Sequence, residues 1–237
     1  MRQFKIPQYP YEEDRKMFSK TELELEPNTV TCLVGCNGTG KTTALHFIKR
    51  ALEKSGAVDR VEGKNPYAKA VHAMFGDEEF DFTVKEDHIV DFSKRSEFAT
   101  NDLDFMMGRA AVAFSSTGEG VISRFGKILQ VLGSVISEDE MENKNLFIFF
   151  DDCDAGTSLD VICEIKDVVN LICNDCKSRK INYYFILTAN SYEMCKDYDC
   201  VDITNFKHVK FKDYEDYKKF VLKTRKYKNK ELAKQEE

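Results

Sequence analysis

The sequence from Val30 to Thr43 reads Val-Thr-Cys-Leu-Val-Gly-Cys-Asn-Gly-Thr-Gly-Lys-Thr-Thr. Its first residues are apolar or β-branched, as in a buried strand, and the residues after it have helical spacing. Between these two parts, Gly35 to Thr42 fits the pattern G-x-x-x-x-G-K-S/T. A glycine-rich turn leading into a helix lets backbone N–H groups surround a polyphosphate. The segment therefore predicts a phosphate-binding loop.

The residue types in this loop indicate how a ligand would be held. Lys41 is expected to reach the β- and γ-phosphates of a nucleoside triphosphate, and the hydroxyl of Thr42 is expected to bind Mg²⁺. The alternative, a chance glycine-rich turn before a helix, is disfavoured because strand, loop and helix follow in the required order. The residues expected to bind the nucleotide here are Gly35, Cys36, Asn37, Gly38, Thr39, Gly40, Lys41, Thr42 and Thr43.

Length and composition limit the class of protein. The 237 residues suit one large α/β domain, and an apolar content of 42% can build its core. A net charge of −6 argues against a wholly basic nucleic-acid binder, although a basic face stays possible. No apolar run approaches the roughly 20 residues needed to cross a bilayer, and the N-terminus has no hydrophobic signal core. We expect a cytoplasmic protein without membrane insertion, whose thiols are reduced.

The cysteines raise the question of a zinc site. Cys173 and Cys176, followed by Cys195 and Cys200, have a spacing loosely like that of a zinc ribbon. The strand expected at 181–188 would span roughly 26 Å and carry the two pairs apart, so zinc is the less favoured interpretation. Other cysteines lie in apolar runs and are expected in the core: Cys32, Cys153 and Cys163.

Strands and helices alternate along much of the chain. Apolar strands are predicted at 145–150 and 181–188, and amphipathic helices at 120–136 and 159–173. Fully apolar strands are typical of a sheet that is buried on both faces. The sequence therefore predicts an α/β fold with a largely parallel core sheet.

The remaining segments are less regular. Residues 1–29 are expected to supply one or two strands. Residues 57–110 hold short strand-like runs, among them 88–92, and are expected to form an inserted lobe of antiparallel strands and a helical patch. Residues 212–237 are expected to form a basic C-terminal helix and tail, frayed from Lys223 onward. The whole chain, 1–237, is expected to be one domain.

Two acidic residues, Asp151 and Asp152, follow the apolar strand 145–150. Ligands of parallel sheets bind at the carboxyl ends of the strands. Asp151 is therefore expected to bind Mg²⁺, and Asp152 to orient or deprotonate an attacking water, from a strand beside that of the phosphate loop. A polar strand end without a function is the alternative.

Four segments in this order resemble the motifs of ABC-type ATPases, which include transporter nucleotide-binding subunits and the SMC, Rad50, RecF and OLD-like ATPases of DNA repair and phage defence. Asn37–Thr43 resembles the first motif, and Phe114–Glu119 (Phe-Ser-Ser-Thr-Gly-Glu) is similar to the signature L-S-G-G-Q/E. Asp151–Asp160 (Asp-Asp-Cys-Asp-Ala-Gly-Thr-Ser-Leu-Asp) resembles the D-E-x-D-S-G-L-S-x-D run of the SMC and OLD-like branch. Leu187–Ser191 lies where that family has its switch loop.

The resemblance implies an ABC-ATPase-like P-loop fold with a helical signature segment, and ATP with Mg²⁺ as cofactors. It also implies a head-to-tail pair with a second copy, in which Ser116, Gly118 and Glu119 of one copy meet the nucleotide of the other. The hydroxyl, the amide and the following helix N-terminus would suit an anion. A simple helix cap at Ser116 is the alternative.

Departures from the family pattern imply slow turnover. Asp152 stands where the family has a catalytic glutamate, and Asp154 is a candidate to share its role. The switch histidine is absent, which leaves Asn190 or Thr188 in its place. No glutamine occurs between Thr43 and Arg109, so the coupling residue of the transporter class is missing or replaced. ATP binding and pairing are thus the firmer expectations.

The sequence leaves three biological roles open. The first is an ATP-gated subunit that controls a separate effector protein in DNA repair or phage defence, with residues 207–234 basic enough to contact nucleic acid. The second is the nucleotide-binding subunit of a membrane transporter. The third is a scaffold that uses nucleotide only to fix its oligomer.

Overall fold

A computed structural model of the protein describes residues 1–10, 16–54, 87–91 and 143–234. Its strands are β1 (Arg2–Lys5), β2 (Glu22–Leu25), β3 (Thr29–Val34), β4 (Asp87–Asp91), β5 (Asn145–Phe150), β6 (Asn182–Thr188), β7 (Asp199–Asp202) and β8 (Lys207–Val209). Its helices are α1 (Lys41–Lys54), α2 (Leu159–Ser178), α3 (Tyr192–Cys195) and α4 (Tyr214–Ala233).

The main sheet has the strand order β4-β5-β6-β3-β7-β8. All of its pairs are parallel except the last, in which β8 runs antiparallel to β7. A separate antiparallel sheet consists of β1 and β2. The predicted α/β class with a largely parallel core sheet is confirmed.

Apolar side chains cover both faces of this sheet. In β5, Leu146, Ile148 and Phe150 belong to one core cluster, while Phe147 and Phe149 belong to the other. Helices α2, α3 and α4 cover the first face, whereas α1 and the β1–β2 sheet cover the second. Burial of alternate side chains on opposite faces explains why the strand reads as a continuous apolar run.

Two helices are longer than predicted. Helix α2 continues past Cys173 to Ser178 because Cys176, one turn further, is also buried. Helix α4 continues to Ala233, so the expected fraying from Lys223 is wrong. The buried side chain of Thr224 explains this difference, since it ties the middle of the helix to the body of the protein.

The expected inserted lobe is wrong for one of its strands. The predicted strand 88–92 corresponds to β4, which pairs in parallel with β5 at the edge of the main sheet rather than antiparallel within a lobe. A short alternating run indicates a strand but does not select its partner. The rest of 57–110, the helix at 120–136 and the signature segment 114–119 lie outside the described residues.

The strand that precedes Asp151 is not the neighbour of the strand that precedes the glycine loop. Strand β3 pairs with β6 and β7, and β6 separates it from β5. The expectation that these two strands lie side by side is therefore wrong. Consecutive parallel strands end at a common edge, where Leu33 pairs with Thr188 and Phe150 with Leu187. The end of β6 thus lies between the loop and the acidic pair.

In the part of the chain that the structure describes, no helix combines the length and the apolar character needed to span a membrane.

Candidate functional site

The glycine loop joins β3 to α1 and has a backbone that requires glycine at two positions. Gly40 has φ of +98°, and a Cβ there would lie 3.0 Å from side-chain atoms of Met17 and Phe18. At Gly35, a Cβ would lie 2.7 Å from Cγ2 of Ile203. Side chains of the protein therefore press on the loop from outside, and only glycine allows this close approach.

The turn that follows β7 supports the start of the loop. The Asp202 carboxylate accepts hydrogen bonds from the backbone N–H of Thr204 at 2.9 Å and from its hydroxyl at 2.7 Å. Ile203, between them, donates its N–H to the carbonyl of Val34 at 3.0 Å and packs on Gly35. This turn holds the exit of β3 in place.

Lys41, the first residue of α1, is buried with 8% of its surface exposed. Its Nζ donates to the carbonyl oxygen of Gly35 at 2.9 Å and to Oδ1 of Asn190 at 2.8 Å. Burial lowers the pKa of Lys41, and the negative charge of Asp152 opposes this shift. A desolvated cation that donates to neutral oxygens is suited to an incoming anion, because the anion would relieve the cost of burial.

Asn190 links this lysine to the acidic pair. Its amide Nδ2 donates to Oδ1 of Asp152 at 2.8 Å, while its Oδ1 accepts from Lys41. Only this orientation of the amide satisfies both partners. The backbone of Asn190 is held as well: its N–H donates to the Asp154 carboxylate at 2.8 Å, and its carbonyl accepts from the Tyr217 hydroxyl at 2.8 Å.

The hydroxyl of Thr188 joins the two acidic residues. It donates to Oδ1 of the buried Asp151 at 2.6 Å and accepts from the backbone N–H of Asp152 at 2.7 Å. Asp152 has φ of +54°, a left-handed conformation that aspartate tolerates better than most residues. Thr188, predicted as a switch candidate, therefore positions the acids, whereas Asn190 contacts both Lys41 and Asp152.

Asp154, predicted as a possible second catalytic acid, lies in a structural position. Its carboxylate accepts from the backbone N–H groups of Asn190 and Ser191, and the residue is buried. These bonds hold the chain that carries Asn190 after the end of β6. In this structure the Asp154 carboxylate is thus engaged by backbone donors of the Asn190–Ser191 segment.

The remaining predicted site residues lie along the loop or outside the described chain. Asn37 and Gly38 are exposed, while Cys36 and Thr39 are buried and Thr42 and Thr43 are half-buried at the start of α1. The Thr39 hydroxyl donates to the Cys36 carbonyl at 2.7 Å, which closes the loop on itself. Ser116, Gly118 and Glu119 belong to the signature segment and lie outside the described residues.

Helix α4 contributes residues that the sequence did not single out. The Thr224 hydroxyl accepts from the backbone N–H of Cys36 at 3.0 Å, and Nζ of Lys228 donates to the carbonyl of Asn37 at 3.0 Å. One signal was available: Thr224 is a polar residue on the apolar face of the helix, one turn after Phe220 and Val221. Such a residue needs a hydrogen-bond partner when it is buried.

The cysteines differ in part from their prediction. Among the described residues, no group of three or more histidine, cysteine or acidic side chains is placed to hold a metal ion. Cys32 and Cys153 are buried as expected, but Cys163 is exposed, so its predicted core position is wrong. Cys163 lies on the outer side of α2, whereas its apolar neighbours in sequence point to the core.

These features define an α/β fold of the P-loop type, and known structures overlap with it over most of the chain. One neighbour is MJ1267, an ATP-binding cassette of an ABC transporter, with 12% identity over 94% of this chain and 97% of that chain at a TM-score of 0.49. A nucleotide-free ATP-binding cassette from an ABC transporter has 12% identity over 90% and 91%, with a TM-score of 0.41. Stu0660 of Streptococcus thermophilus has 12% identity over 91% and 77%, with a TM-score of 0.40.

No protein-family model matches the sequence, and no curated protein matches it significantly. The assignment of the P-loop type rests on this protein's own strand order, glycine loop and acidic pair, because all three overlaps have TM-scores below 0.5.

A substitution at Thr188 tests the link between the two acidic residues. Thr188→Val keeps the shape of the side chain but removes the donor to Asp151 and the acceptor for the Asp152 N–H. We expect the free energy of unfolding in urea to fall by about 1–3 kcal/mol, as for buried polar groups that lose a partner. Thr188→Ser keeps the hydroxyl and serves as the control. Equal stability of the valine variant and the wild type would contradict the network.

Proposed function

We propose that this protein binds ATP with Mg²⁺ and hydrolyses it slowly. The observation that carries the proposal is the hydrogen-bonded link from Lys41 through Asn190 to Asp152, located beside a glycine loop at the N-terminus of α1. A buried cation, a helix N-terminus and an acidic pair at one sheet edge are the elements that phosphoryl transfer needs.

The phosphates would lie in the loop. The loop N–H groups that do not face α4 and the ammonium of Lys41 would supply donors and positive charge, and the positive end of the α1 dipole would add to them. Lys41 would exchange its present acceptors, the Gly35 carbonyl and the Asn190 amide, for phosphate oxygens. This exchange replaces neutral partners by charged ones, which favours the ammonium form of a buried lysine.

The donor set fits Mg²⁺ because the hydroxyl of Thr42 and the carboxylate of Asp151 offer hard oxygen ligands. Such a site needs only one or two protein carboxylates, since phosphates and waters complete an octahedral shell. When bound, Mg²⁺ would neutralise charge on the β- and γ-phosphates. Thr188 would hold the Asp151 carboxylate in its rotamer through the hydrogen bond described above.

Asp152 is the proposed residue that orients or deprotonates the attacking water. Once Lys41 turns to the phosphates, the Asn190 amide oxygen becomes available to accept a hydrogen bond from that water, while its Nδ2 keeps Asp152 in place. Asp152 is one methylene shorter than a glutamate and is held by a side-chain hydrogen bond. Both properties limit its reach, which supports slow rather than fast hydrolysis.

A second copy of the chain would complete the site. This part of the proposal rests on the resemblance of residues 114–119 to the ABC-type signature, with Ser116, Gly118 and Glu119 facing the γ-phosphate of the nucleotide on the other copy. The sealed pocket would exclude water and strengthen electrostatic stabilisation of the transition state.

We propose that the ATP-bound pair of chains controls a separate effector protein on nucleic acid. DNA-repair and phage-defence ATPases have a motif that Asp151–Asp160 resembles. A specific observation favours a polyanionic partner. Exposed basic residues form a stripe along one side of α4, at spacings of four, three and four: Lys219, Lys223, Lys226 and Lys230. Such a stripe can neutralise several backbone phosphates at once.

Light scattering coupled to size exclusion tests binding and pairing together. With Mg-ATP, Asp152→Asn should bind nucleotide, cleave it much more slowly than the wild type and elute at about twice the chain mass of 27.3 kDa. Lys41→Ala removes the buried cation, should bind ATP about 10- to 100-fold more weakly, and should not pair. If ATP promotes self-association of neither the wild type nor Asp152→Asn, head-to-tail pairing is excluded.

Fluorescence anisotropy with a labelled DNA duplex tests the proposed partner. We expect binding to weaken with rising salt, and Lys219→Glu combined with Lys223→Glu to reduce both affinity and salt dependence by removing about two phosphate contacts. The matched control is Lys5→Glu with Lys20→Glu, two exposed lysines away from α4. Equal losses in the two double variants would show that only net charge matters, and would contradict a site on α4.

A further inference from the structure

One face of α4 contacts the two parts of the site that would hold the nucleotide. Tyr217 meets Asn190, Thr224 meets Cys36, and Lys228 meets Asn37 in the glycine loop. These helix residues are spaced by seven and by four, which places them on one side of an α-helix. The basic stripe described above lies on a different side of the same helix.

The contact at Thr224 is specific because its hydroxyl uses both of its roles. It donates to the carbonyl of Val221 at 2.9 Å, within the helix, and accepts from the Cys36 N–H at 3.0 Å. Only 2% of Thr224 is exposed. The donor bond fixes the rotor of the hydroxyl, so that a lone pair faces the loop.

This bond sets the orientation of the peptide between Gly35 and Cys36. In a trans peptide, the N–H and the C=O point in opposite directions. While the Cys36 N–H faces Thr224, the Gly35 carbonyl must face the opposite side, and there it accepts from Nζ of Lys41 at 2.9 Å. Thr224 thus acts on Lys41 through a single peptide plane.

Lys228 has the same effect on the Asn37–Gly38 peptide, two peptides further along the loop. Its Nζ donates to the carbonyl of Asn37 and lies 3.6 Å from the Cβ position of Gly38. Because this carbonyl is turned toward α4, the N–H of Gly38 is turned to the other side of the loop. The contacts of Thr224 and Lys228 together therefore define which backbone donors these two peptides can present to a ligand.

Tyr217 holds the other half of the site. Only 4% of its surface is exposed, and its ring packs edge-on against Phe211 at 5.1 Å between centroids. Its hydroxyl donates to the carbonyl of Asn190, the residue between Lys41 and Asp152. A rigid, buried ring leaves the hydroxyl little freedom, so Asn190 is restrained from its backbone as well as from its side chain.

We infer that α4 is a positioning element of the nucleotide site, in which Thr224 and Lys228 set the glycine loop for phosphate binding and Tyr217 sets Asn190 for hydrolysis. This inference rests on the proposed function and assigns roles to residues outside its catalytic set. It predicts a division of effects: changes at the loop anchors alter affinity, whereas a change at Tyr217 alters turnover.

The test measures the equilibrium dissociation constant for Mg-ATP and kcat for a matched series of variants. Thr224→Val should raise the dissociation constant about five- to tenfold, and Thr224→Ser should restore it because the hydroxyl is kept. Tyr217→Phe should lower kcat about tenfold with a smaller change in affinity. The control, Tyr214→Phe, removes a hydroxyl from an exposed tyrosine on the same helix and should match the wild type.

Hydrogen exchange of the loop peptide 35–41 gives a reading that does not depend on nucleotide. The Cys36 amide should exchange faster in Thr224→Val than in the wild type and in Thr224→Ser. If the valine variant fails to fold, Lys228→Met, at a partly exposed position, replaces it in the affinity measurement, and its exchange is read at the amide of Gly38, which shares a peptide with the Asn37 carbonyl.

The outcomes separate the two ideas. If wild-type protein binds no ATP, the proposed function fails, and the inference about nucleotide positioning fails with it, even where exchange shows that α4 holds the loop. If the wild type binds ATP while Thr224→Val or Lys228→Met keeps its affinity and Tyr217→Phe keeps its kcat, the proposed function stands and the role of α4 is overturned.

Discussion

A lysine ammonium buried under a glycine loop is the constraint on which the rest of this site depends. Desolvation of a cation is costly, and here Lys41 offsets that cost with the Gly35 carbonyl and the Asn190 amide oxygen. Each of these acceptors is restrained in turn: the Gly35 peptide through Thr224, and Asn190 through Asp152 and its backbone contacts. The polar groups around the lysine are therefore held in place before any anion arrives, so that the main change on binding is the turn of the ammonium from these acceptors to the anion.

The position of β6 in the sheet explains how residues far apart in sequence meet. Lys41 and Asn190 are 149 positions apart, yet their side chains are 2.8 Å apart because β6 lies directly beside β3. On its other side β6 pairs with β5, so Thr188 at its end reaches Asp151. Apolar burial on both faces of the sheet holds these strand ends in register. Helix α4, in the C-terminal part of the described chain, contacts the same edge through Tyr217, Thr224 and Lys228.

Sequence periodicity predicts where strands and helices lie better than it predicts which strands pair in the sheet. The apolar run 145–150 and the helix from Lys41 stand as predicted because burial on both faces and an amphipathic stripe leave clear patterns. Strand order leaves no such pattern, which is why β4 was expected in a lobe and β5 beside β3. The loop and the acidic pair could be chosen from residue types at fixed spacing. The contacts of α4 could not be predicted in this way. A single threonine on an apolar helix face indicates that a hydrogen-bond partner exists but does not identify it.

A double-mutant cycle of Asp152→Asn and Asn190→Leu, read as single-turnover cleavage of ATP, tests most directly whether Asn190 and Asp152 act as one unit. We expect each single variant to cleave ATP about 100-fold more slowly than the wild type. The rate of the double variant should be little lower than that of the less active single variant, since both changes break the same link. Losses that multiply in the double variant would show that the two residues act independently, and would contradict the linked site described above.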